Sequence, residues 1–419
     1  MNIWIFNHYA TNMFYDGAGR HHSIAKYLIK NGHDVSIFCA NTIHGSNRSI
    51  QIESDGFLGK TGVDGVRYIF IKTIPYKDNG FDRVKNMYSF YKNLFKVSKA
   101  CLNLYNKPDV ILASSVHPLT LVAGIKIAKK VNVPCICEIR DLWPETLIDL
   151  NILKAESFVS KILYRGEKWI YKKANQIIFT MPGGADYIKD KNWDNDISLD
   201  KIHYINNGVD LEKYNEDLKY NKIDDDDLND SEKYKLIYTG SVRTVNKVDE
   251  FVKLAEVLKE KARNVSILIY GDGDQKTFLE NKCKELHLDN IFFKGKVEKK
   301  YIPYVLSKGN LNIASDKAKT VGKYGISWNK IFEYMASGKP IIVNYDMGKY
   351  NMVEDYNLGI AKEYDNFNSF CDDVIKMINL PSEEYMRYSK NAKIAADKFD
   401  YKFLAKDLEK IIIETINCE

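Results

Sequence analysis

Residues 327–345 read SWNKIFEYMASGKPIIVNY, and this stretch decides the fold of the chain. Apolar residues recur at helical spacing up to Gly338, which ends the helix, and a run of β-branched residues begins at Ile341. A helix followed at once by a short buried strand is typical of an open parallel sheet with helices on its faces. Because the same alternation continues in both directions along the chain, we predict an α/β protein.

The second half of the chain repeats this alternation between an acidic stretch near residue 225 and the C-terminus. Short β-branched runs predict strands over residues 236–239, 265–270, 291–293, 311–314 and 341–345. Helical periodicity lies between them over 248–258 and 275–286, and the segment 403–416 has the apolar stripe of an amphipathic helix. Together these elements predict one Rossmann-like sheet.

The first half of the chain predicts a second sheet of the same kind. Apolar runs predict strands over residues 2–6, 34–40, 109–114, 133–139 and 176–180. Ile24, Ala25 and Leu28 recur at helical spacing until Gly32 ends the helix. Open parallel sheets bind ligands at the carboxyl ends of their strands, so we expect two such domains to form a binding cleft.

Domain boundaries follow from the acidic run 224–227, whose like charges resist burial and regular structure. We assign residues 1–205 to an N-terminal domain and 206–233 to a linker that contains this acidic loop. Residues 234–400 form the C-terminal domain, and 401–419 form a C-terminal helix that packs back on the N-terminal domain. The acidic run is interpreted as a solvated surface loop rather than a metal site.

The composition is that of an ordinary globular protein. The 419 residues are 45% hydrophobic and 28% charged, and neither the net charge of +5 nor any basic tail indicates nucleic-acid binding. The seven cysteines do not have the spacing of metal ligands, so we expect no metal and no cofactor. The chain opens MNIWIF without a signal sequence and has no apolar run long enough to span a bilayer, so we expect a cytoplasmic protein.

The first predicted strand is followed by a loop that contains Gly17 and Gly19. Glycine lets a backbone approach a ligand closely, and the helix that follows offers unpaired N–H groups to an anion. A dinucleotide-binding loop would have a third glycine where His22 stands and an acidic residue after the second strand, where residues 39–41 read CAN. NAD binding is therefore disfavoured, and a flexible turn explains the loop equally well.

Two loops of the second half also follow predicted strands. Residues 240–243 read GSVR, residues 271–273 read GDG, and Lys247 begins a predicted helix. Cations at a helix N-terminus oppose the helix dipole, so Arg243 and Lys247 are better explained by a bound diphosphate. A surface cation or a simple turn explains each loop taken alone, whereas their recurrence at successive strand ends favours an anion site.

Lys330 and Glu333 stand one turn apart at the start of the helix in the opening stretch. A lysine neutralises phosphate, and a carboxylate accepts hydrogen bonds from both hydroxyls of a ribose. A capping interaction or a Lys–Glu surface pair is the alternative. Together with Lys247 and Arg243, Lys330 would stabilise the negative charge that grows on a leaving diphosphate without a metal ion.

Three motifs resemble those of family-4 retaining glycosyltransferases of the GT-B fold. Residues 207–210 read NGVD, residues 333–340 read EYMASGKP, and residues 140–145 read RDLWPE. The last motif resembles bacterial enzymes of O-antigen and capsule assembly, including the L-fucosaminyltransferase type. The resemblance spans nearly the whole chain, and it implies a GT-B hexosyltransferase that needs no metal and retains the anomeric configuration.

The resemblance also implies roles for individual residues. Lys247 matches the lysine that binds the donor diphosphate, and Glu333 matches the glutamate that binds the nucleotide ribose. His117 matches a histidine that contacts the donor sugar, although a structural histidine is the alternative from the sequence alone. Gly17 and Gly19 match the glycine loop near the donor phosphate and the acceptor.

The chain departs from the family pattern at two positions. Gly325 stands where the family has a glutamate that contacts a sugar hydroxyl, and Ser241 stands where it has an arginine that Arg243 could replace. The family resemblance therefore does not predict which residue binds the donor sugar. Arg140 and Asp141, at the end of a strand, are expected to orient the acceptor, with a structural salt bridge as the alternative.

The segment 84–105 has an apolar helical face bordered by lysines. The face comprises Val84, Met87, Tyr88, Tyr91, Phe95, Leu102 and Tyr105. The lysines that flank it are Lys85, Lys92, Lys96 and Lys99. Such a helix can lie on an anionic membrane, which suits a polyprenyl-diphosphate-linked acceptor, and packing on its own sheet is the alternative.

The sequence therefore predicts a glycosyltransferase that moves a sugar from a nucleotide-diphosphate donor, by the resemblance a UDP-sugar, to a glycan acceptor. We expect a lipid-linked acceptor, in bacterial surface polysaccharide biosynthesis at the inner face of the plasma membrane. The alternatives are a nucleotide-sugar epimerase of related fold and a non-catalytic sugar-nucleotide-binding protein. No carboxylate pair supports the epimerase, whereas the missing carboxylate at Gly325 keeps the binding protein open.

Overall fold

The computed structural model divides the chain into two compact units. Unit 1 comprises Met1–Asn207 together with the C-terminal segment from Tyr401, and unit 2 comprises Gly208–Asp400. The residues that the structure describes are 1–43, 48–53, 56–76, 80–115, 117–262, 264–318 and 320–418. Each unit has a buried hydrophobic core of its own.

Unit 1 is built on one open sheet, which has eight strands in the described chain. The strands are β1 (Asn2–Phe6), β2 (Asp34–Ala40), β3 (Phe57–Thr61), β4 (Arg67–Ile71), β5 (Val110–Ser114), β6 (Cys135–Ile139), β7 (Gln176–Phe179) and β8 (Ile202–Tyr204). Their order is β3-β4-β2-β1-β5-β6-β7-β8, and neighbours are parallel except for the antiparallel pair β3 and β4. The central strands β1, β5 and β6 are buried along their whole length, as in sheets covered on both faces.

Helices connect the strands of unit 1. They are α1 (Thr11–Asp16), α2 (Arg20–Lys30), α3 (Phe81–Leu104), α4 (Pro118–Val131), α5 (Glu145–Asp149), α6 (Phe158–Lys173) and α7 (Gly184–Asp190). Helix α4 packs against both α3 and α6. Local sequence fixes the helix starts: Pro118 occupies the first turn of α4, and Ser157 caps α6 by accepting a hydrogen bond from the backbone of Ser160 (3.1 Å).

Unit 2 is built on a second open sheet, which has six strands in the described chain. The strands are β9 (Tyr234–Thr239), β10 (Val265–Tyr270), β11 (Ile291–Gly295), β12 (Leu311–Ser315), β13 (Ile341–Asn344) and β14 (Gly359–Lys362). Their order is β11-β10-β9-β12-β13-β14, and every neighbouring pair is parallel. The carboxyl ends of β9, β12 and β13 are therefore adjacent along one edge.

The helices of unit 2 cover this sheet. They are α8 (Leu211–Tyr220), α9 (Asp226–Asn229), α10 (Asp249–Lys261), α11 (Lys276–Glu285), α12 (Ile302–Lys308), α13 (Asn329–Ser337), α14 (Met352–Asp355), α15 (Phe367–Ile378) and α16 (Ser382–Lys398). Gly338 ends α13 in the left-handed conformation (φ 65°), which confirms the helix end predicted from the sequence. Within the described ranges, none of the helices is both long enough and apolar enough to cross a membrane.

The last helix, α17 (Tyr401–Asn417), returns to unit 1. It packs against α2, and its buried Leu404 and Leu408 share a core cluster with Ile24 and Leu28. A single helix cannot bury its own apolar stripe, so packing against α2 removes the stripe of α17 from water. The predicted packing of the C-terminal helix on the N-terminal domain is confirmed.

Within the acidic run 224–227, Asp225 and Asp227 form ion pairs that the sequence did not predict, whereas Asp224 and Asp226 are exposed, as in the predicted solvated loop. Asp225 caps α9 by accepting from the backbone of Leu228 (3.2 Å), and it accepts a second hydrogen bond from Tyr270 (2.8 Å). Lys294 Nζ lies 2.6 Å from Asp225 and 2.5 Å from Asp227. This cation on β11 offsets the repulsion between the carboxylates, and the residues of the predicted linker from Gly208 onward belong to unit 2.

Candidate active site

In unit 2 the strand ends of β9, β12 and β13 meet the first turn of α13, and polar side chains gather there. Lys330, in the first turn of α13, is partly buried between aromatic rings: its Nζ lies 4.6 Å from the centre of the Tyr238 ring and 5.5 Å from that of Trp328. The nearest polar partners of Nζ are Tyr238 Oη at 3.3 Å and Asn246 Oδ1 at 3.4 Å. Lys330 forms no ion pair with a carboxylate of the described residues.

Burial governs the charge of Lys330. Because the ammonium is withdrawn from water, the pKa of Lys330 is lowered to about 8, and the carboxylate of Asp316 opposes this shift. The loop after β9 also approaches the ammonium, since a Cβ built on Gly240 would lie 3.4 Å from Nζ. The backbone at Gly240 therefore lies beside this partly buried cation.

Lys247 lies beside the same strand ends. It has a left-handed backbone (φ 45°), a conformation that L-residues adopt only where the surrounding loop requires it. Lys247 Nζ is 3.3 Å from Glu250 Oε1, and the other oxygen of Glu250 accepts from Ser315 Oγ (2.8 Å) and Asn344 Nδ2 (2.9 Å). Glu250 thus ties Lys247 to the ends of β12 and β13.

Asp316 was not predicted from the sequence, although it directly follows β12. Its Oδ1 accepts from the backbone of Ala318 (2.9 Å), and it lines a small cavity with Lys247, Asn344 and Tyr345. Burial raises the pKa of Asp316, while the Ala318 N–H and the nearby lysines oppose the rise. The signal in the sequence was the position of this acid at the carboxyl end of a buried run.

Glu333 follows Lys330 by one turn on α13, as predicted, but the two do not form an ion pair with each other. Glu333 Oε1 lies 3.6 Å from Lys299 Nζ, which is a long contact, and its side chain remains 18% exposed. The Lys–Glu surface pair considered from the sequence is therefore not formed. The carboxylate keeps acceptor capacity for a ligand hydroxyl.

Arg243 is exposed and lines a different pocket. That pocket contains Gln275, Phe278 and Lys282, and it includes neither Lys247 nor Lys330. The structure therefore does not group Arg243 with the two lysines. Ser241, which replaces the family arginine, accepts hydrogen bonds from Asn246 Nδ2 through its backbone oxygen (2.9 Å) and its hydroxyl (2.8 Å).

Gly325 follows a 3₁₀ turn (Val321–Tyr324) with φ 88°. A glutamate at this position would have to adopt a conformation that L side chains rarely occupy. The glycine and the backbone of this loop therefore go together, and a glutamate here would require the loop to change.

The glycines of the GDG loop are explained by backbone packing. A Cβ on Gly271 would lie 1.7 Å from the carbonyl oxygen of Gly240, and one on Gly273 would lie 2.2 Å from that of Val242. The two loops are also joined by hydrogen bonds, from Gly240 N to Tyr270 O (3.0 Å) and from Val242 N to Asp272 O (2.9 Å). The close approach predicted here is made to the neighbouring loop, so ligand contact is not needed to account for these glycines.

We expect Gly271→Ala to destabilise the protein by about 3 kcal/mol or more, because the new methyl group overlaps a backbone oxygen that cannot move independently. Urea unfolding followed by circular dichroism measures the loss. Gly166→Ala is the matched control: nothing lies within 4 Å of its Cβ position on α6, so alanine should stabilise that helix by roughly 0.5–1 kcal/mol. Equal stability of the two variants would contradict the packing explanation.

In unit 1 the glycine loop lies between α1 and α2. Gly17 ends α1 with φ 54°, and Gly19 precedes α2 with φ 108°. A Cβ on Gly17 would lie 2.9 Å from Val63 Cγ2, and one on Gly19 would lie 3.1 Å from Met13 Cγ. Both positions have a positive φ that favours glycine, and a Cβ at either would press on a neighbouring side chain.

The first turn of α2 is anchored by a buried carboxylate that the sequence did not reveal. Glu138, on β6, accepts from Arg20 Nε (2.8 Å), Ser114 Oγ (2.8 Å) and the ring of His21 (2.9 Å). Arg20 also donates to the backbone oxygens of Ile205 (3.0 Å) and its neighbour in the sequence. Burial alone would raise the pKa of Glu138, but Arg20 and His21 hold it well below its usual range.

His117 occupies the position between β5 and α4 and is buried. Its Nε2 lies 2.7 Å from Nδ1 of His8, whose ring is stacked between Tyr9 (4.3 Å) and Phe90 (4.4 Å). Burial, reinforced by the charge of Arg83, lowers the pKa of His117 to about 3, so the ring is neutral at physiological pH. Among the described residues its Nδ1 has no hydrogen-bond partner, which leaves one ring nitrogen for a ligand.

Arg140 and Asp141 follow β6, but they form no ion pair with each other in the described residues. The Arg140 backbone N–H donates to Ser115 Oγ (3.0 Å), and its side-chain Nε is buried without a described partner. Burial raises the pKa of Asp141, and Arg140 and Arg83 counteract the rise. The salt bridge considered from the sequence is thus not formed, and Asp141 instead lines a cavity with Ser115 and other residues of this strand end.

The segment predicted as a membrane-facing helix divides between core and surface. Met87, which was assigned to the exposed apolar face, is buried, whereas Val84 and Tyr88 are exposed. Tyr105 lies beyond the end of α3, with the Arg67 guanidinium 4.7 Å from the centre of its ring. Part of the apolar face that was predicted to meet a membrane therefore packs on the sheet of unit 1 instead.

Two open parallel α/β units in one chain, with polar groups at the strand ends of each, define a GT-B architecture. Sucrose-phosphate synthase from Thermosynechococcus elongatus matches with a TM-score of 0.69 at 14% identity, covering 100% of both chains. The Anabaena protein HepE, solved in complex with UDP and glucose, matches with a TM-score of 0.65 at 12% identity, covering 99% of this chain and 100% of that one. The predicted GT-B fold is confirmed.

Two family models cover the chain in succession. Residues 15–213 match the model described as Glycosyltransferase Family 4, and residues 220–395 match the model described as Glycosyl transferases group 1. The chain is therefore a GT-B glycosyltransferase, and the prediction of an enzyme of this class is confirmed.

One curated relative matches part of the chain. The chain is 22% identical over 165 residues to the α-D-kanosaminyltransferase of Streptomyces kanamyceticus. The matched stretch spans 39% of this chain and 41% of the length of that enzyme. This likeness agrees with the class of glycosyltransferase and covers too little of either chain to define a substrate.

Proposed function

We propose that the protein is a retaining hexosyltransferase that moves a sugar from a UDP-sugar to a lipid-linked glycan in the biosynthesis of a bacterial surface polysaccharide. The observation that carries the proposal is the partly buried ammonium of Lys330, which forms no ion pair among the described residues and whose charge Asp316 offsets only in part. Burying a cation is costly unless an anion compensates it. The diphosphate of a nucleotide-sugar is such an anion.

The diphosphate is proposed to lie between Lys330 and Lys247. The glycine backbone at Gly240 lets a phosphate approach closely, and the start of α13 adds the positive end of a helix dipole. Negative charge grows on the β-phosphate as the glycosidic bond breaks, so cations fixed beforehand stabilise the transition state more than the ground state. UDP is favoured as the nucleotide because HepE, which shares the fold, binds it.

The nucleotide ribose is proposed to contact Glu333. Its carboxylate lies one turn along α13 from Lys330, which suits a ribose next to a diphosphate, and its contact with Lys299 is long enough to be exchanged for a ligand hydroxyl. For the donor sugar, Asp316 is the carboxylate proposed to accept a hydroxyl hydrogen bond, since Gly325 cannot.

The residues of unit 1 are proposed to act on the reacting sugar and the acceptor. The neutral His117 offers Nδ1 to a sugar hydroxyl, and Asp141 and Arg140 orient the acceptor hydroxyl. The loop of Gly17 and Gly19 is proposed to lie near both. In a retaining reaction the acceptor oxygen attacks the anomeric carbon on the face from which the diphosphate departs. This part of the proposal rests on the resemblance and on the strand-end positions of these residues.

A lipid-linked acceptor would place the enzyme at the inner face of the plasma membrane. The exposed Val84 and Tyr88 of α3, with Lys85 and Lys92 on the same helix, support a peripheral contact there. The buried part of the helix fixes its orientation on the sheet. A contact of this kind needs no membrane-spanning segment.

Mass spectrometry of the products tests the proposed function. The full chain is incubated with a panel of UDP- and GDP-sugars and with polyprenyl-diphosphate-linked acceptors. Transfer of a sugar from a UDP donor with release of UDP supports the proposal, and the configuration of the new linkage tests retention. An epimerised donor would support the epimerase instead, and binding without any conversion would support a sugar-nucleotide-binding protein.

The charge of Lys330 predicts a pH dependence of donor binding. With a pKa of about 8, the ammonium is present below this pH and is lost as the pH rises through it, so UDP affinity should fall between about pH 7.5 and 9.5. Titration calorimetry across this range measures the fall. In Lys330→Arg the cation persists, so the alkaline fall should disappear; an unchanged fall in this variant would assign it to another group.

A further inference from the structure

Helix α6 exposes apolar side chains on the side that faces away from its own sheet. Phe158 is 75% exposed, Val159 is 51% exposed, and Ile162 and Trp169 are also exposed. The opposite side of the helix is buried. A surface helix of a globular protein normally places polar residues on this outer side, so the apolar stripe needs a partner.

The stripe runs beside a column of cations. Phe158, Ile162 and Trp169 fall within a narrow sector of the helix, because they are separated by four and seven residues. Lys161 and Arg165 fall in the neighbouring sector and are exposed. An apolar column adjoining a basic column is the arrangement of a helix that lies in a lipid interface.

Acidic groups are few on this surface, and Glu156, just before α6, is an exposed one. Glu167 is the one acid of α6, and it is buried, where it accepts from Tyr171 (2.7 Å) and Tyr187 (2.8 Å). Asp196 partly neutralises the basic column through Lys168 (2.5 Å) and Lys172 (2.7 Å). The exposed cations Lys161, Arg165 and Lys173 lie outside this ion-pair group.

The surface extends beyond α6. Helix α4, which packs against α6, has no acid and exposes Lys129 and Lys130, whereas its Lys126 donates to Tyr91 on α3 (3.1 Å). The segment before α6 adds Ile152, which is 64% exposed. Apolar groups in the middle of a basic, acid-poor surface fit a partner that is negatively charged outside and apolar beneath.

We propose that the outer face of α6 is a binding surface for anionic lipid bilayers, with Phe158, Ile162 and Trp169 inserted among the acyl chains. The neighbouring cations contact lipid phosphates. Each inserted side chain and each cation adds only a small part of the binding free energy, so the surface makes a reversible peripheral contact with the bilayer. This α6 surface is distinct from the membrane contact proposed for α3. Its binding to lipid does not depend on which nucleotide-sugar the enzyme uses.

Vesicle co-sedimentation of the full chain tests this proposal. Wild type should bind vesicles of phosphatidylglycerol and phosphatidylcholine, bind pure phosphatidylcholine vesicles weakly, and lose binding as salt is raised. The double variant Phe158→Ser, Ile162→Ser should lower the partition coefficient by roughly tenfold or more. The matched control is Phe278→Ser, Ile394→Ser, which removes two exposed apolar side chains of unit 2 and should bind as wild type does.

Three results would overturn the proposal. These are unchanged binding of the α6 variant, an equal loss in the unit 2 control, or a loss confined to the α3 variant Val84→Ser, Tyr88→Ser. Sedimentation velocity tests whether a second copy of the chain binds this face instead of lipid. If the wild type is a dimer and the α6 variant is a monomer, the face is a dimer interface. UDP binding measured on the same samples should be unchanged, which separates this test from that of the proposed function.

Trp169 provides a direct reading of insertion. It is more exposed than Trp4 and Trp193, both of which are buried, so brominated acyl chains should quench its fluorescence when vesicles bind. The variant Trp169→Phe should abolish most of this quenching while preserving co-sedimentation. Full quenching in that variant would show that another tryptophan meets the lipid and would contradict the proposed geometry.

Discussion

Lys330→Gln is expected to lower kcat/KM for the UDP-sugar by roughly a hundredfold or more, because it removes a preorganised cation from the leaving diphosphate. The variant should fold normally. Its midpoint of thermal unfolding should equal or exceed that of wild type, since the ammonium is partly buried and its burial is unfavourable without a ligand. Initial rates of UDP release, with differential scanning fluorimetry on the same samples, measure both effects.

Lys308→Gln is the matched control for this prediction. Lys308 also lies over a tyrosine ring, 5.4 Å from the centre of Tyr304, but on α12 and outside the group of strand-end residues. Its loss should leave turnover near the wild-type value. Wild-type turnover in Lys330→Gln, or equal losses in both variants, would show that Lys330 does not act on the donor.

His117→Ala is expected to lower turnover by roughly a hundredfold or more if Nδ1 contacts the donor sugar in the transition state. The structure adds an effect on stability that the sequence did not predict. Truncation removes the 2.7 Å contact with His8, and a buried group left unsatisfied costs about 1–3 kcal/mol. Steady-state rates and urea unfolding of the variant measure the two losses separately.

The variant His8→Ala distinguishes a catalytic role of His117 from a structural one. It removes the same ring–ring contact and should cost a similar stability, but the nitrogen that is available to a ligand belongs to His117 and is retained. We therefore expect a smaller loss of turnover in His8→Ala than in His117→Ala. Equal losses of turnover at equal losses of stability would assign His117 to a structural role.

Continuous apolar runs made much of the fold predictable. The strands over 2–6, 34–40 and 265–270 have the predicted bounds, because buried parallel strands are apolar on both faces. The hairpin of β3 and β4 and the edge strands β8 and β14 were missed. The edge strands β3, β8 and β14 are short and partly exposed, so their composition does not separate them from loops. Strand β4 is an interior strand with a buried apolar run, and this explanation does not apply to it.

The site was predictable only where position along the chain determines position in space. Lys330 and Glu333 are neighbours because they lie one turn apart on one helix. Asp316 meets Lys247 because β12 lies beside β9, and this strand order is a property of the tertiary structure. For the same reason, the sequence did not show what Gly271 packs against, because the Gly240 carbonyl comes from another loop.

Titration calorimetry of UDP, UMP and uridine against the full chain tests the central claim most directly. If Lys330 and Lys247 bind the donor diphosphate, UDP should bind at least about tenfold more tightly than uridine, with UMP between them. Lys330→Gln should remove most of that difference while leaving uridine affinity unchanged. Equal affinity for UDP and uridine in the wild-type protein, or a UDP preference that survives in Lys330→Gln, would contradict a diphosphate site at these lysines.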